Sequence, residues 1–231
     1  MIRSILCAAT VATFLSATAH AETRTYDVGN FTGIDVSAGL YVTFTAGGAQ
    51  SISVENTKGD FSDILVEVKG DTLMLKRKKK NWGWGKKRLR YAITVSAPVL
   101  SSIDASSGSD ITGSGLSGIE VSIDTSSGAD ATISDIDAVT VYLDSSSGSD
   151  LDASGKCTTV VAESSSGSDI DAGDLICRDG RAEASSGSDI TIHTTDSVSA
   201  DVSSGADVNV RGGPTDVDTD KSSGGSVNIR R

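Results

Sequence analysis

IDASSGSDI, residues 103–111, decides the architecture because it recurs. Its relatives are IDTSSGADA (123–131), LDSSSGSDL (143–151), AESSSGSDI (162–170), AEASSGSDI (182–190), ADVSSGADV (200–208) and TDKSSGGSV (219–227). Their glycines, Gly108, Gly128, Gly148, Gly167, Gly187, Gly205 and Gly224, are separated by 20, 20, 19, 20, 18 and 19 residues. A degenerate copy, IDVSAGLYV (34–42), lies far upstream around Gly39. A fixed period of this length with apolar and polar residues alternating is the pattern of a solenoid in which each repeat forms one coil.

Parity specifies the kind of coil. Side chains alternate between the two faces of a strand, so Ile103, Ala105, Ser107, Ser109 and Ile111 share one face, and Asp104, Ser106 and Asp110 share the other. The first set is apolar or small in nearly every copy, as a narrow interior requires. The reading is an all-β fold: a parallel β-helix (β-solenoid) with about 20 residues per coil, stacked at roughly 4.8 Å per rung. Ser107 and its equivalents are expected to form an internal hydroxyl ladder, because buried hydroxyls must find partners. The glycine is expected to permit a bend.

Residues 22–100 are β-like but less regular, and 101–231 carry the repeats, together one solenoid domain over 22–231. Lys69-Gly70-Asp71-Thr72 reads as a tight turn between two alternating runs. Residues 1–21, MIRSILCAATVATFLSATAHA, read as a secretory signal peptide: Arg3, a short apolar core, and Ala19-His20-Ala21 as the cleavage site. That apolar run is too short to span a bilayer, and no later stretch is longer. The chain is therefore expected to be exported, to the periplasm, the outer-membrane surface or the medium, with no transmembrane span after cleavage. Arg230 and Arg231 are placed to blunt one open sheet edge, the feature that would otherwise leave self-association open.

Against a net charge of −11, residues 76–90, KRKKKNWGWGKKRLR, carry nine basic side chains and no acidic one. Alternation on both sides of Asn81–Gly85 predicts a projecting β-hairpin over 73–95. Trp82 and Trp84 would stand together at its tip, among Lys78, Lys79, Lys80, Lys86, Lys87 and Arg88. Exposed aromatics amid cations suit an anionic envelope component, whether lipid headgroup, lipopolysaccharide or acidic glycan. An acidic protein surface would also fit, and nucleic acid is the least expected partner of an exported chain. The competing reading is that the arm packs on the protein's own acidic faces.

Two columns of carboxylates flank the repeat glycines. Asp104, Asp124, Asp144, Glu163, Glu183, Asp201 and Asp220 stand four residues before them; Asp110, Asp130, Asp150, Asp169, Asp189 and Asp207 stand two after. Stacking would bring like charges near 5 Å apart, which needs screening by water or cations. A calcium ladder at Asp130, Asp150, Asp169 and Asp189 is one reading, since Ca²⁺ favours several oxygen ligands. The other is a solvated face whose carboxylates bond backbone N–H groups at the bends.

Catalytic signatures are sparse. His193 is the one histidine of the mature chain and reads as a surface residue, so a histidine-based triad has nothing else to use. No zinc spacing occurs, and a serine present in every coil is architectural. No other cofactor is implied. The reading is a non-catalytic binding or structural module. Its rival is a β-helical polysaccharide hydrolase or lyase using paired carboxylates. Cys157 and Cys177 each precede the next repeat glycine by ten residues, which places them on adjacent rungs within disulfide reach. A Cys157–Cys177 bridge is predicted; two small buried thiols are the alternative.

The succession FTGIDVSAGLYVTF (31–44), VEVKGDTLML (66–75), YAITVSAPVLSSIDASSGSDI (91–111) and SSGGSVNI (222–229) resembles the head GIN domain family, exported bacterial domains described as autotransporter-adhesin heads. The resemblance covers residues 26–231. It implies a β-helical fold, a cell-envelope setting and an adhesin-like role, and supplies no catalytic residues.

Overall fold

The computed structural model describes residues 21–78 and 89–230. Among the described residues, seventeen strands form one hydrogen-bonded system. In chain order the first seven are β1 (Glu22–Thr25), β2 (Gly33–Val36), β3 (Tyr41–Ala46), β4 (Ser51–Asn56), β5 (Ile64–Lys69), β6 (Thr72–Arg77) and β7 (Ala92–Ala97). The repeats supply β8 (Ser102–Ser106), β9 (Asp110–Ser114), β10 (Ser117–Ser126), β11 (Asp130–Ser146), β12 (Asp150–Ser165), β13 (Asp169–Ser185) and β14 (Asp189–Val202). β15 (Asp207–Arg211), β16 (Asp216–Lys221) and β17 (Ser226–Ile229) complete the chain.

The repeats stack as parallel, in-register rungs, as their period requires. Ile103 lies on Ile123, Ile123 on Leu143, Leu143 on Ala162 and Ala162 on Ala182. All five are buried, and so are Ile111, Ala131, Leu151, Ile170 and Ile190 in the facing column. At Gly113 the interior is filled from below: the Phe44 ring occupies the space a Cβ would take.

Each Ser-Ser-Gly is a two-residue corner. Ser107 (φ 56°) and Gly108 (φ 65°) are both left-handed, and the pair recurs at Ser127, Ser147, Ser166, Ser186, Ser204 and Ser223 with the glycine that follows each. Positive φ at both central positions is the backbone of a type I′ turn. Ala206 N–H closes one such turn on Ser203 O at 3.2 Å. Successive corners are also tied to each other: Gly108 N–H donates to Ser127 O (3.1 Å) and Gly187 N–H to Ser204 O (3.1 Å).

This corner corrects the expected hydroxyl ladder. Ser107 and its equivalents are exposed, because the two left-handed residues stand outside the strand alternation. Among the described residues the buried serine and threonine hydroxyls belong to Ser109, Thr125, Ser145, Ser149, Ser164, Ser168, Ser188 and Thr194. Thr125 Oγ1 donates to Ser145 Oγ (3.0 Å), Ser145 Oγ to Ser149 O (3.0 Å) and Ser149 Oγ to Ser146 O (2.7 Å). Ser168 Oγ donates across the rung to Ser145 O at 2.6 Å.

The N-terminal part joins the same stack out of chain order. β2 and β3 form a coil beneath β8 and β9, with Ile34 on Ile103 and Val42 on Ile111. Beneath that coil lie β6, paired parallel with β2, and β7, paired parallel with β3. β5 then covers β6 antiparallel through the Gly70-Asp71 turn, β4 covers β7, and β1 covers β4. These antiparallel strands cap a sheet end that would otherwise offer unpaired backbone groups.

The hairpin expected over 73–95 is therefore not the arrangement of its described flanks. β6 pairs with β2 and β5, and β7 with β3 and β4. They are successive sides of one coil, and the basic segment stands where other coils have a Ser-Ser-Gly corner. The alternation of the two flanks is that of coil strands whose partners lie elsewhere in the chain. At the opposite end β16 is exposed throughout and carries Asp216, Asp218, Asp220 and Lys221. Arg230 is exposed near that end, and Arg231 lies outside the described residues.

Candidate interaction surfaces

The basic segment is anchored where it enters and leaves the coil. Lys78 N–H donates to Asp63 O at 2.7 Å. Arg77 ties three elements together: Nη1 bonds Asp63 Oδ2 (3.1 Å), Nε bonds Ala38 O (3.1 Å) and Nη2 bonds Leu89 O (2.6 Å). Its guanidinium also lies 5.2 Å from the Tyr91 ring centroid. Tyr91 is buried, bonds the Asp63 carboxylate and sits 3.0 Å from Asp60 O. Burial first, and then the Asp63 carboxylate, push its phenol well above the ordinary tyrosine value.

Among the described basic side chains of this segment, Arg77 and Lys76 are engaged internally, the latter with Nζ 3.3 Å from Asp35 Oδ2. Lys78 is exposed. Lys79, Lys80, Trp82, Trp84, Lys86, Lys87 and Arg88 lie outside the described residues.

Both carboxylate columns stack in register. The first runs Asp35, Asp104, Asp124, Asp144, Glu163, Glu183, Asp201, Asp220. Asp35 extends the column beyond the repeats; its place four residues before Gly39 was a legible signal. The second runs from Asp110 to Asp207, with Tyr41 taking the carboxylate's place at its N-terminal end.

Crowding shifts their protonation. Burial, then Asp35 and Asp124, raise Asp104 above the ordinary carboxylate value, and Lys76 pulls the other way. Burial and then Asp124 raise Asp144. In the second column burial leads again at Asp130, Asp150 and Asp189, followed by each residue's rung neighbours. Arg181 interrupts the first column by bonding Glu183, with Nε at 2.8 Å from Oε1. An open groove of about 260 Å³ runs beside this column, lined by Asp144, Glu163, Glu183, Asp201, Ser165 and Ser185.

Asp130, Asp150, Asp169 and Asp189 form a line, whereas a calcium ion needs oxygens around a point. Among the described residues no group of three or more His, Cys, Asp or Glu side chains is arranged to hold a metal ion. His193 is half-buried, with Nδ1 3.3 Å from Gly173 O. Cys157 and Cys177 are register partners with Cα atoms 4.6 Å apart, and they form the predicted disulfide.

A stack of near-identical coils, with its distinctive chemistry on outer faces, defines a β-solenoid module. The chain belongs to the family described as "Putative auto-transporter adhesin, head GIN domain", which matches residues 30–214. The same fold occurs in a crystal structure of a "putative adhesin" from Bacteroides fragilis, at 22% identity and TM-score 0.82, covering 92% of this chain and 98% of that one. A "putative lipid binding protein" from Parabacteroides distasonis shares it at 16% identity and TM-score 0.72, with 91% and 97% covered. So does a "putative adhesin" from Parabacteroides merdae, at 13% identity and TM-score 0.70, with 91% and 96% covered. No curated protein matches the chain.

The family description is that of exported proteins. Among the described residues no helix is long and apolar enough to cross a membrane. Residues 1–20 of the expected signal peptide lie outside the described residues.

Proposed function

We propose that the protein is an exported, non-catalytic contact module of the cell envelope that engages anionic lipid headgroups through its basic corner. The observation that carries this reading is the anchoring of the segment. Other coils turn with two small residues, whereas this one inserts a cationic, tryptophan-bearing stretch and fixes both its ends through Asp63 and Arg77. Outside residues 76–90 the mature chain carries 10 basic and 31 acidic side chains, a net of −21. Such a body is repelled by an anionic surface except at that corner. Tryptophan and lysine together suit the headgroup layer, where the indole sits at the interface and the ammonium meets phosphate.

The test is cosedimentation with vesicles of phosphatidylglycerol and phosphatidylcholine over a salt series. Wild type should bind and release steeply as salt rises. Replacing Trp82 and Trp84 by Ala and Lys78, Lys79 and Lys80 by Ser should abolish binding while leaving the melting temperature unchanged. Lipopolysaccharide and an acidic polysaccharide, run in parallel, distinguish a lipid-specific contact from a general anionic one. An absence of salt-sensitive binding to any of the three sinks the reading.

A further inference from the structure

We propose that the outward face of the N-terminal coils, centred on Tyr41, binds a neutral polysaccharide chain. This site is separate from the basic corner and differs from it in ligand chemistry. It rests on a two-dimensional array that chain order conceals. Across β4, β7, β3, β9 and β11, Ser51, Ser96, Thr45, Ser114 and Ser134 stand in one register column. Two residues along each strand, Ser53, Thr94, Thr43, Thr112 and Thr132 form a second. Every outward position in this block therefore carries a hydroxyl, spaced roughly 4.8 Å between strands and about 6.7 Å along them. On the next two rungs the second column changes to Asp152 and Asp171, which ends the hydroxyl block; beyond them it runs Thr191, Asn209 and Asn228.

A third column beside the threonines supplies the rest of a binding platform. Tyr41 lies in register between Ala92 and Asp110. Tyr41 is 58% exposed, and its neighbour on β7 is the small Ala92. Tyr41, Thr43, Ala92, Thr94, Asp110 and Thr112 line a shallow depression of about 170 Å³. An exposed aromatic face accepts the C–H face of a sugar ring, and a tyrosine presents such a face at low entropy cost. Threonine hydroxyls donate and accept, as sugar hydroxyls do, and the Asp110 carboxylate accepts from them. The β-branched threonines have few rotamers, so their hydroxyls are already oriented.

The charge pattern selects against anionic polymers, because Asp110 lines the depression and Asp130 follows it on the next rung of the second acidic column. It also offers no ordered set of cations. A flat, repeating, uncharged array suits a ligand that itself repeats and is rich in hydroxyls.

Cello-, chito- and malto-hexaose, titrated to millimolar concentration and followed by amide chemical shifts, test the proposal. At least one should bind, with shifts centred on Tyr41, Thr43 and Thr112 and an affinity independent of salt. Tyr41→Ala should weaken it about tenfold or more, Tyr41→Phe should retain it, and Thr43→Val with Thr112→Val should weaken it several-fold, as expected for lost hydrogen bonds. These side chains face outward, and valine keeps the β-branch, so far-UV circular dichroism and melting temperature should be preserved. The Trp82→Ala, Trp84→Ala variant should bind the sugar as wild type does, which separates this site from the lipid contact. Failure of all three hexaoses to bind, unchanged affinity in Tyr41→Ala, or loss of sugar binding with salt or with the tryptophans would each overturn it.

Discussion

Replacing Asp150 by asparagine should stabilise the protein. Asp150 stands between Asp130 and Asp169 in the second acidic column, and their charges raise its pKa after burial does. The rung spacing at the disulfide is 4.6 Å between Cα atoms. Two like charges at that distance repel by about 0.9 kcal/mol in a water-like medium, the appropriate limit for exposed carboxylates. A Debye length of about 8 Å at physiological ionic strength cuts this to about half. Two neighbours then make the substitution worth about 1 kcal/mol, or roughly 2–4 °C in melting temperature for a chain of this size.

The sign of the pH dependence follows from the direction of the shift. A carboxyl whose folded pKa lies above the ordinary value of 3.8 binds its proton more tightly in the native state. Stability from that proton is complete below the ordinary value and is lost as pH rises through the folded one. The advantage of Asp150→Asn should therefore be full at pH 7 and fade towards pH 3.8, where wild type holds the proton itself. It should also shrink in about 1 M salt, where the Debye length is about 3 Å. Asp137→Asn, which removes the partner of Lys156 at 3.1 Å, should show no such gain. Differential scanning calorimetry over this grid checks it. A lower melting temperature for Asp150→Asn at pH 7, or a gain indifferent to salt and pH, would refute the electrostatic reading.

Three further outcomes are expected. Replacing both Cys157 and Cys177 by Ala frees a loop with a separation of 20 residues and should cost about 3 kcal/mol through the unfolded chain; equal denaturation midpoints for oxidised and variant protein would contradict this. Ser168→Ala removes the donor to Ser145 O and should cost about 1–2 kcal/mol in urea denaturation, whereas a neutral result would mean the buried hydroxyl chain adds nothing. Ser147 sits at φ 58°, so Ser147→Val should cost about 1–2 kcal/mol and Ser147→Gly far less, and equal stabilities would argue against a left-handed corner.

The repeats were legible because every copy obeys the same local rule. Strand parity placed Ile103, Ala105 and Ile111 inside, and counting back from the next glycine paired Cys157 with Cys177. Ser107 was misplaced because parity presumes an unbroken strand, and two left-handed residues cancel two steps of the alternation. The error stays local: an even number of corner residues returns Ser109 and Ile111 to the inner face. The N-terminal coils were less legible for a different reason. The partners of β6 are β5 and β2, and those of β7 are β4 and β3, so the coil of β2 and β3 intervenes between β6–β7 and β8–β9, which are consecutive in the chain. Alternation alone reports that a segment is a strand; it does not report which edge the segment meets. Asp63 gave no sequence signal at all, since its role depends on Arg77 and Tyr91 arriving from other parts of the chain.

That difference in legibility bears on where function can reside. A coil repeated with the same corner and the same two carboxylates presents closely similar outward chemistry from rung to rung. Such a surface can hold a repetitive partner, or set the charge of the whole body. Uniqueness is concentrated in the out-of-order coils, where the Ser-Ser-Gly corner gives way to the basic segment and the second carboxylate to Tyr41. Those coils also carry the bulkiest interior, with Phe31, Phe44, Phe61 and Tyr91 buried. Large buried rings resist fraying at a solenoid end, which matters because an end coil has a neighbour on one side only. A contact site at that end, of the kind proposed above, would therefore rest on a stiffened support.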